Sequence, residues 1–176
     1  MGAGFIEVAL KPKSESRFFQ DFRSRVKNLF FVAGKYDLFV EVNIQDMAEL
    51  LDFLHEVQHQ EYVIRSRVSL VLKVLKDEER TLQDLSEEEK DGMFNESIHA
   101  FIGIHSKDGG AAATVKDLPD IKRLFTIRGH HEMLAYLMCA NMSDVLHNLM
   151  EIRTKHAVSD THTYFILRAE RAPQFV

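Results

Sequence analysis

Apolar positions along the chain change period several times, and each change marks an element. Phe5 to Leu10 is a short, mainly apolar run ended by Lys11-Pro12, the pattern of a buried strand. From Ser14 to Arg25, Phe18, Phe19 and Phe22 fall on one helical face behind Ser14 as a candidate N-cap. Two β-rich runs follow, Leu29 to Ala33 and Asp37 to Ile44, broken at Gly34-Lys35, where glycine permits a hairpin turn. From Asp46 onward, Met47, Leu50, Leu51, Leu54 and Val57 recur at spacings of three and four, which predicts an amphipathic helix. A last strand is expected from Ser66 to Val74.

The same series then returns. Lys27 to Lys73 superposes on Lys122 to Arg168 without a gap: Lys27-Asn28-Leu29-Phe30 meets Lys122-Arg123-Leu124-Phe125, and Gly34 meets Gly129. Met47, Leu50, Leu51 and Leu54 meet Met142, Val145, Leu146 and Leu149. One residue of slip places Phe5-Ile6-Glu7-Val8 over Phe101-Ile102-Gly103-Ile104. The second copy predicts a strand over His99 to His105, a helix near Gly109 to Leu118 stopped by Pro119, a hairpin around Gly129, a helix from Ser143, and a strand from His162 to Ala169.

Each copy therefore reads βαββαβ, and the predicted fold class is α+β: two tandem ferredoxin-like units, each an antiparallel sheet with two helices on one face. The expected division is residues 1–75, an acidic linker 76–97, and residues 98–176. Met133 to Ala140 is apolar at every position, whereas a strand with one face in water alternates. Both faces are then covered, which points to the sheet-to-sheet pairing of a dimeric α+β barrel, made between copies or between chains.

Composition narrows the function. The formal net charge is −5, which provides no general field for a polyphosphate partner. The segment Asp77 to Asp91 holds eight acidic residues against two basic, a solvated charge run. One cysteine, Cys139, cannot form an internal disulfide, and no apolar run is long enough for a membrane helix. Met1 to Lys11 lacks the pattern of a secretory signal, so a cytoplasmic location is expected, with no membrane partner.

The run Ala33-Gly34-Lys35-Tyr36-Asp37-Leu38-Phe39-Val40-Glu41-Val42, with Asp46 to Leu54 and Ser66 to Lys73, resembles the effector-binding RAM domain of Lrp/AsnC (feast/famine) transcription regulators. The second copy is more distant, reading Gly129-His130-His131-Glu132 at the turn. The resemblance implies a small effector, commonly an amino acid, bound at domain interfaces near Gly34, Tyr36, Asp37 and Ser66 and near Gly129, His131, Glu132 and Thr161. Turn amides suit a carboxylate, while Asp37 or Glu132 suits an ammonium. It also implies homo-oligomers. Such regulators carry a helix-turn-helix, whereas here the first strand begins by Phe5, so no direct contact with nucleic acid is expected, and a helix-turn-helix protein is a candidate partner. The resulting expectation is a non-enzymatic regulator with no catalytic residue, metal or cofactor. The alternatives are a tetrapyrrole-modifying enzyme related to siroheme decarboxylases, acting through the histidine-bearing turn, and a structural partner of a DNA-binding paralogue.

Three other signals are weaker. His55-Glu56-Val57-Gln58-His59 matches HExxH, the zincin pattern. The helical stripe places both histidines off the core face, no third ligand follows at a familiar spacing, and the second copy reads Met150-Glu151-Ile152-Arg153-Thr154. Asp108-Gly109-Gly110 before a helix is read as a cap and turn. Cys139, mid-strand, is read as a buried, inert thiol.

Overall fold

A computed structural model describes residues 2–78, 87–107, 110–155 and 157–171. Asp108 and Gly109 of the glycine pair, and residues 79–86 of the acidic segment, lie outside the described residues. The elements are β1 (Gly2–Leu10), α1 (Glu15–Phe22), β2 (Val26–Ala33), β3 (Leu38–Ile44), α2 (Met47–Gln58), β4 (Val63–Asp77), α3 (Glu87–Glu96), β5 (Ile98–Ser106), α4 (Ala112–Lys116), β6 (Ile121–Arg128), β7 (Met133–Cys139), α5 (Met142–Arg153) and β8 (Val158–Arg171). The chain forms two compact units, residues 1–71 with 168–176, and residues 72–167.

In the first unit, β1 pairs antiparallel with β3 and β4, and β3 pairs with β2, giving the order β4-β1-β3-β2. In the second, β5 pairs antiparallel with β7 and β8, and β7 with β6, giving β8-β5-β7-β6. Register repeats with the sequence: Val8 faces Leu38 and Ser66, and Ile104 faces Met133 and Thr161. The fold is α+β, two ferredoxin-like units.

One side of each sheet packs on helices. In the first unit, Ile6, Val8 and Leu10 of β1 join Phe18 and Phe22 of α1 and Leu50, Phe53 and Val57 of α2 in one core. In the second, Ile102 and Ile104 join Val115 of α4 and Val145 and Ile152 of α5. The opposite side is also closed to water: Phe5, Phe39 and Glu41 in the first unit, and His99, Phe101, Arg123 and Tyr136 in the second, are all buried. The apolar continuity of β7 reports this two-sided burial. Buried charge there is matched locally. Asn28 Nδ2 donates to Glu41 Oε2 at 2.8 Å, and Arg123 Nε lies 3.2 Å from Asp77 Oδ1 with its guanidinium 4.8 Å from the Phe125 ring centre.

Several local expectations are corrected. Ser14 precedes α1 but makes no side-chain cap, because its backbone is helical rather than extended. Asp46 and Asn141 are extended and do cap α2 and α5, accepting from the amides of Glu49 and Asp144. The core face of α2 is Leu50, Phe53 and Val57, and Leu51 is 48% exposed. Its counterparts on α5 are Val145, Asn148 and Ile152, with Leu146 and Met150 exposed. The helix expected over Gly109 to Leu118 is confined to α4. Part of the acidic segment is helical as α3, and β4 continues to Asp77.

Glu7 on β1 is buried at 5% exposure, and Arg67 of β4 donates to it. Burial raises its carboxyl above the ordinary 4.5, and the hydrogen bond and charge of Arg67 only partly oppose this. A raised acid favours the proton in the folded state, so its contribution to stability is complete below about pH 4.5 and is lost as pH rises through the higher folded value. Urea unfolding between pH 4 and 8 is therefore expected to show wild type losing ground to Glu7→Gln as pH rises. The opposite slope would mean that the Arg67 pairing outweighs burial.

Candidate functional site

The hairpin turns are held to the first strand of each unit by the same device. Asp37 Oδ2 accepts from the Leu10 amide at 2.7 Å, and the Asp37 amide donates to the Val8 carbonyl. Glu132 Oε2 accepts from the Ser106 amide at 3.1 Å, and the Glu132 amide donates to the Ile104 carbonyl. Both acids thus anchor the turn to a strand end. Gly34 takes φ of +134°, which favours glycine.

What surrounds each turn differs. In the first unit, Tyr36 is buried beside two guanidiniums, with Arg67 Cζ 4.7 Å and Arg65 Cζ 5.3 Å from its ring centre. Arg65 also donates to the Lys35 carbonyl at 2.6 Å. Across β1 and β4, Glu7 pairs in register with Arg67.

At the corresponding position of the second unit, Gly103 pairs in register with His162. A Cβ on Gly103 would lie 2.6 to 2.7 Å from the ring atoms of His131, so the missing side chain is the space that the imidazole fills. His131 is 3% exposed. Its Nε2 lies 3.1 Å from His162 Nδ1, and its ring centre is 4.5 Å from that of His105 and 4.8 Å from that of His130. One nitrogen from each of His105, His130, His131 and His162 falls within 4.8 Å of the others. Two acids flank the group: Glu132 Oε2 is 3.2 Å from His105 Nδ1, and Asp160 Oδ2 is 3.3 Å from His162 Nε2.

The fold therefore brings His131 and Glu132 together at the Gly129 turn. Ser66 and Thr161 are placed differently. Each pairs with a strand residue whose side chain enters the helix-side core, Val8 or Ile104, so alternation puts them on the face opposite Arg67 and His162. The Ser66 hydroxyl is buried and has no hydrogen-bond partner among the described residues. Of the four clustered histidines, only His131 is an expected contact residue from the sequence. His130 enters there as part of the histidine-bearing turn, and His105 and His162 not at all. Their signal was the repeat itself: each lies one strand away from the turn at equivalent register, but seeing it required the β5–β8 pairing.

His55 and His59 lie on the exposed side of α2, ring centres 4.1 Å apart, with His59 Nδ1 at 2.8 Å from the His55 carbonyl oxygen. Glu56, the would-be base of the HExxH pattern, is bonded to Arg25 at 2.7 Å.

Comparison with known proteins bears on the first unit and on the fold. Residues 3–81 match the model of the Lrp/AsnC ligand binding domain. A search of curated proteins gave no match. Among solved structures, the siroheme decarboxylase NirDL is similar at TM-score 0.66 and 8% identity, over 95% of this chain and 71% of that one. Its co-complex with an iron-uroporphyrin III analogue is similar at TM-score 0.63 and 9% identity, with the same coverage. A chlorite dismutase variant from Candidatus Nitrospira defluvii is similar at TM-score 0.54 and 10% identity, over 93% of this chain and 89% of that one. At such identity the likeness concerns the fold alone. It nevertheless corrects the expectation of a non-enzymatic chain, because these neighbours are enzymes and the architecture supports catalysis as well as regulation. No helix among the described residues is long and apolar enough to cross a membrane. The segment matched by the Lrp/AsnC ligand binding domain model, residues 3–81, takes in β1 to β4 and the Gly34 turn between β2 and β3.

Proposed function

We infer that the chain is a small-ligand-binding protein of the Lrp/AsnC type whose ligand is taken up at the histidine-bearing turn of the second unit. One observation carries this reading: four imidazoles converge at that turn, over a glycine that leaves room for one of them. Imidazoles supply both donor and acceptor nitrogens, so the turn suits a ligand with nitrogen, oxygen or metal centres. The first unit, by contrast, fills the same position with a Glu7–Arg67 pair and a tyrosine under two guanidiniums. In a regulator of this type, occupancy is the signal, and self-association or a partner protein is how it is passed on.

The amino-acid effector expected from the family belongs to this reading as one ligand class, with Glu132 and His131 as contacts. A second reading is favoured by the NirDL co-complex: an iron tetrapyrrole as ligand, with one of the four imidazoles on the iron.

A melting-temperature screen distinguishes these classes. Amino acids, divalent metal ions and iron porphyrins would each be tested on wild type and on the His131→Ala/His162→Ala double variant. A ligand present at a hundred times its Kd is expected to raise the wild-type midpoint by about 5–10 °C and to leave the variant unmoved. No shift in any class, or equal shifts in both proteins, would refute a site at this turn.

A further inference from the structure

We propose that the ligand of the histidine turn is a late first-row divalent transition-metal ion, bound directly by imidazole nitrogens of His105, His130, His131 and His162. This rests on the reading of the turn as the ligand site and adds the identity of what binds there.

The geometry is close to that of a metal centre. A tetrahedral ion with metal–nitrogen bonds of about 2.0–2.1 Å sets its donor nitrogens roughly 3.3 Å apart. His131 Nε2 and His162 Nδ1 already stand 3.1 Å apart, and all four donors lie within 4.8 Å. His130 is the exposed member of the group.

The outer contacts select the ligating atoms. Glu132 holds Nδ1 of His105, and Asp160 holds Nε2 of His162. That leaves Nε2 of His105 and Nδ1 of His162 for the ion, in the carboxylate–histidine–metal arrangement that orients ligands and raises their basicity. The donor set is all nitrogen, which suits cobalt, nickel, copper or zinc and disfavours magnesium and calcium. An iron tetrapyrrole offers only two axial positions on opposite faces, so four converging imidazoles exceed what it can use.

The site is also built into the strand. Glycine inside a strand weakens it unless something approaches closely, and at Gly103 that something is His131. The equivalent strand position in the first unit is occupied by Glu7.

The test is titration of the full chain, stripped of metal by chelation, with Co(II) followed by displacement with Zn(II). One Co(II) per chain is expected, with the visible absorption of a low-coordinate nitrogen site. Glu132→Gln is expected to weaken binding 10–100-fold, as loss of an outer contact does elsewhere, and His131→Ala to weaken it more. Circular dichroism of the metal-free proteins checks folding. Should His131→Ala fail to fold, His130→Ala at the exposed ligand and Gly103→Ala, which displaces the His131 ring, carry the same test. No binding of either ion, or binding unchanged in these variants, overturns the proposal, as does binding lost only in His55→Ala/His59→Ala. If the ions fail while an amino acid or iron porphyrin still shifts the midpoint in a histidine-dependent way, the metal assignment falls and the ligand site stands. If nothing binds in that way, both fall.

Discussion

Phe53→Ala is expected to lower folding stability by about 3–5 kcal/mol, the range for removing a large aromatic from a packed core. Phe53 is 1% exposed on α2 and belongs to the first unit's core. Its ring meets Phe22 edge-on at 5.5 Å between centres and carries the Arg25 guanidinium 4.5 Å above it. Truncation removes both ring contacts together with the transfer term, and the strands beneath α2 are held by β1–β3 pairing and cannot collapse into the gap. Chemical denaturation of wild type, Phe53→Leu and Phe53→Ala would measure it, with the leucine variant falling between. A loss below about 1 kcal/mol for alanine would mean that α2 is not docked on the sheet as described.

Cys139 is expected to react with a thiol reagent about a thousandfold more slowly in the native protein than in urea at neutral pH. Burial, then the Asp120 carboxylate and its contact with the sulfur, push the thiol from an ordinary 9.0 up to about 12, with Asp144 adding and Asn148 opposing. Since the thiolate is the reactive form, about three pH units of displacement cut its fraction about a thousandfold, a loss that the greater nucleophilicity of a more basic thiolate offsets in part. Its 2% exposure slows the reaction further. Stopped-flow labelling with an aromatic disulfide gives both rates. Native labelling within tenfold of the unfolded rate would show that β7 opens readily or that the thiol is not held beside Asp120. The thiol is buried, as its mid-strand place suggests.

The same neighbourhood shows where periodicity misleads. Counting forward by the repeat, Phe53 corresponds to Asn148, and the second unit replaces an aromatic by an amide at a core position. Asn148 is 4% exposed with its amide nitrogen satisfied, donating to Asp120 Oδ2 and to the Asp144 carbonyl, each at 2.8 Å, with Cys139 Sγ 3.6 Å away. A hydrophobic stripe drawn from residue type passes over it and takes in Leu51 and Leu146 instead, which face water. Burial follows partners, and Asp120, in the turn before β6, is remote from Asn148 in sequence.

The order of elements, the duplication and the resemblance of the first copy to the Lrp/AsnC ligand binding domain were all legible in the amino-acid string. They depend on local quantities: period 2 or 3.6 in apolar spacing, a glycine at a turn, and similar residues recurring after a constant interval. The histidine centre was not, although the adjacent pair His130-His131 was in plain view. His105 and His162 stand at opposite ends of the second copy, and only antiparallel pairing of β5 with β8, in the register that sets Gly103 beside His162, brings them to the turn. Register is a collective outcome of which faces are buried. A shift of one residue would turn His162 to the other face and dissolve the cluster, so its existence was a decision of the tertiary structure.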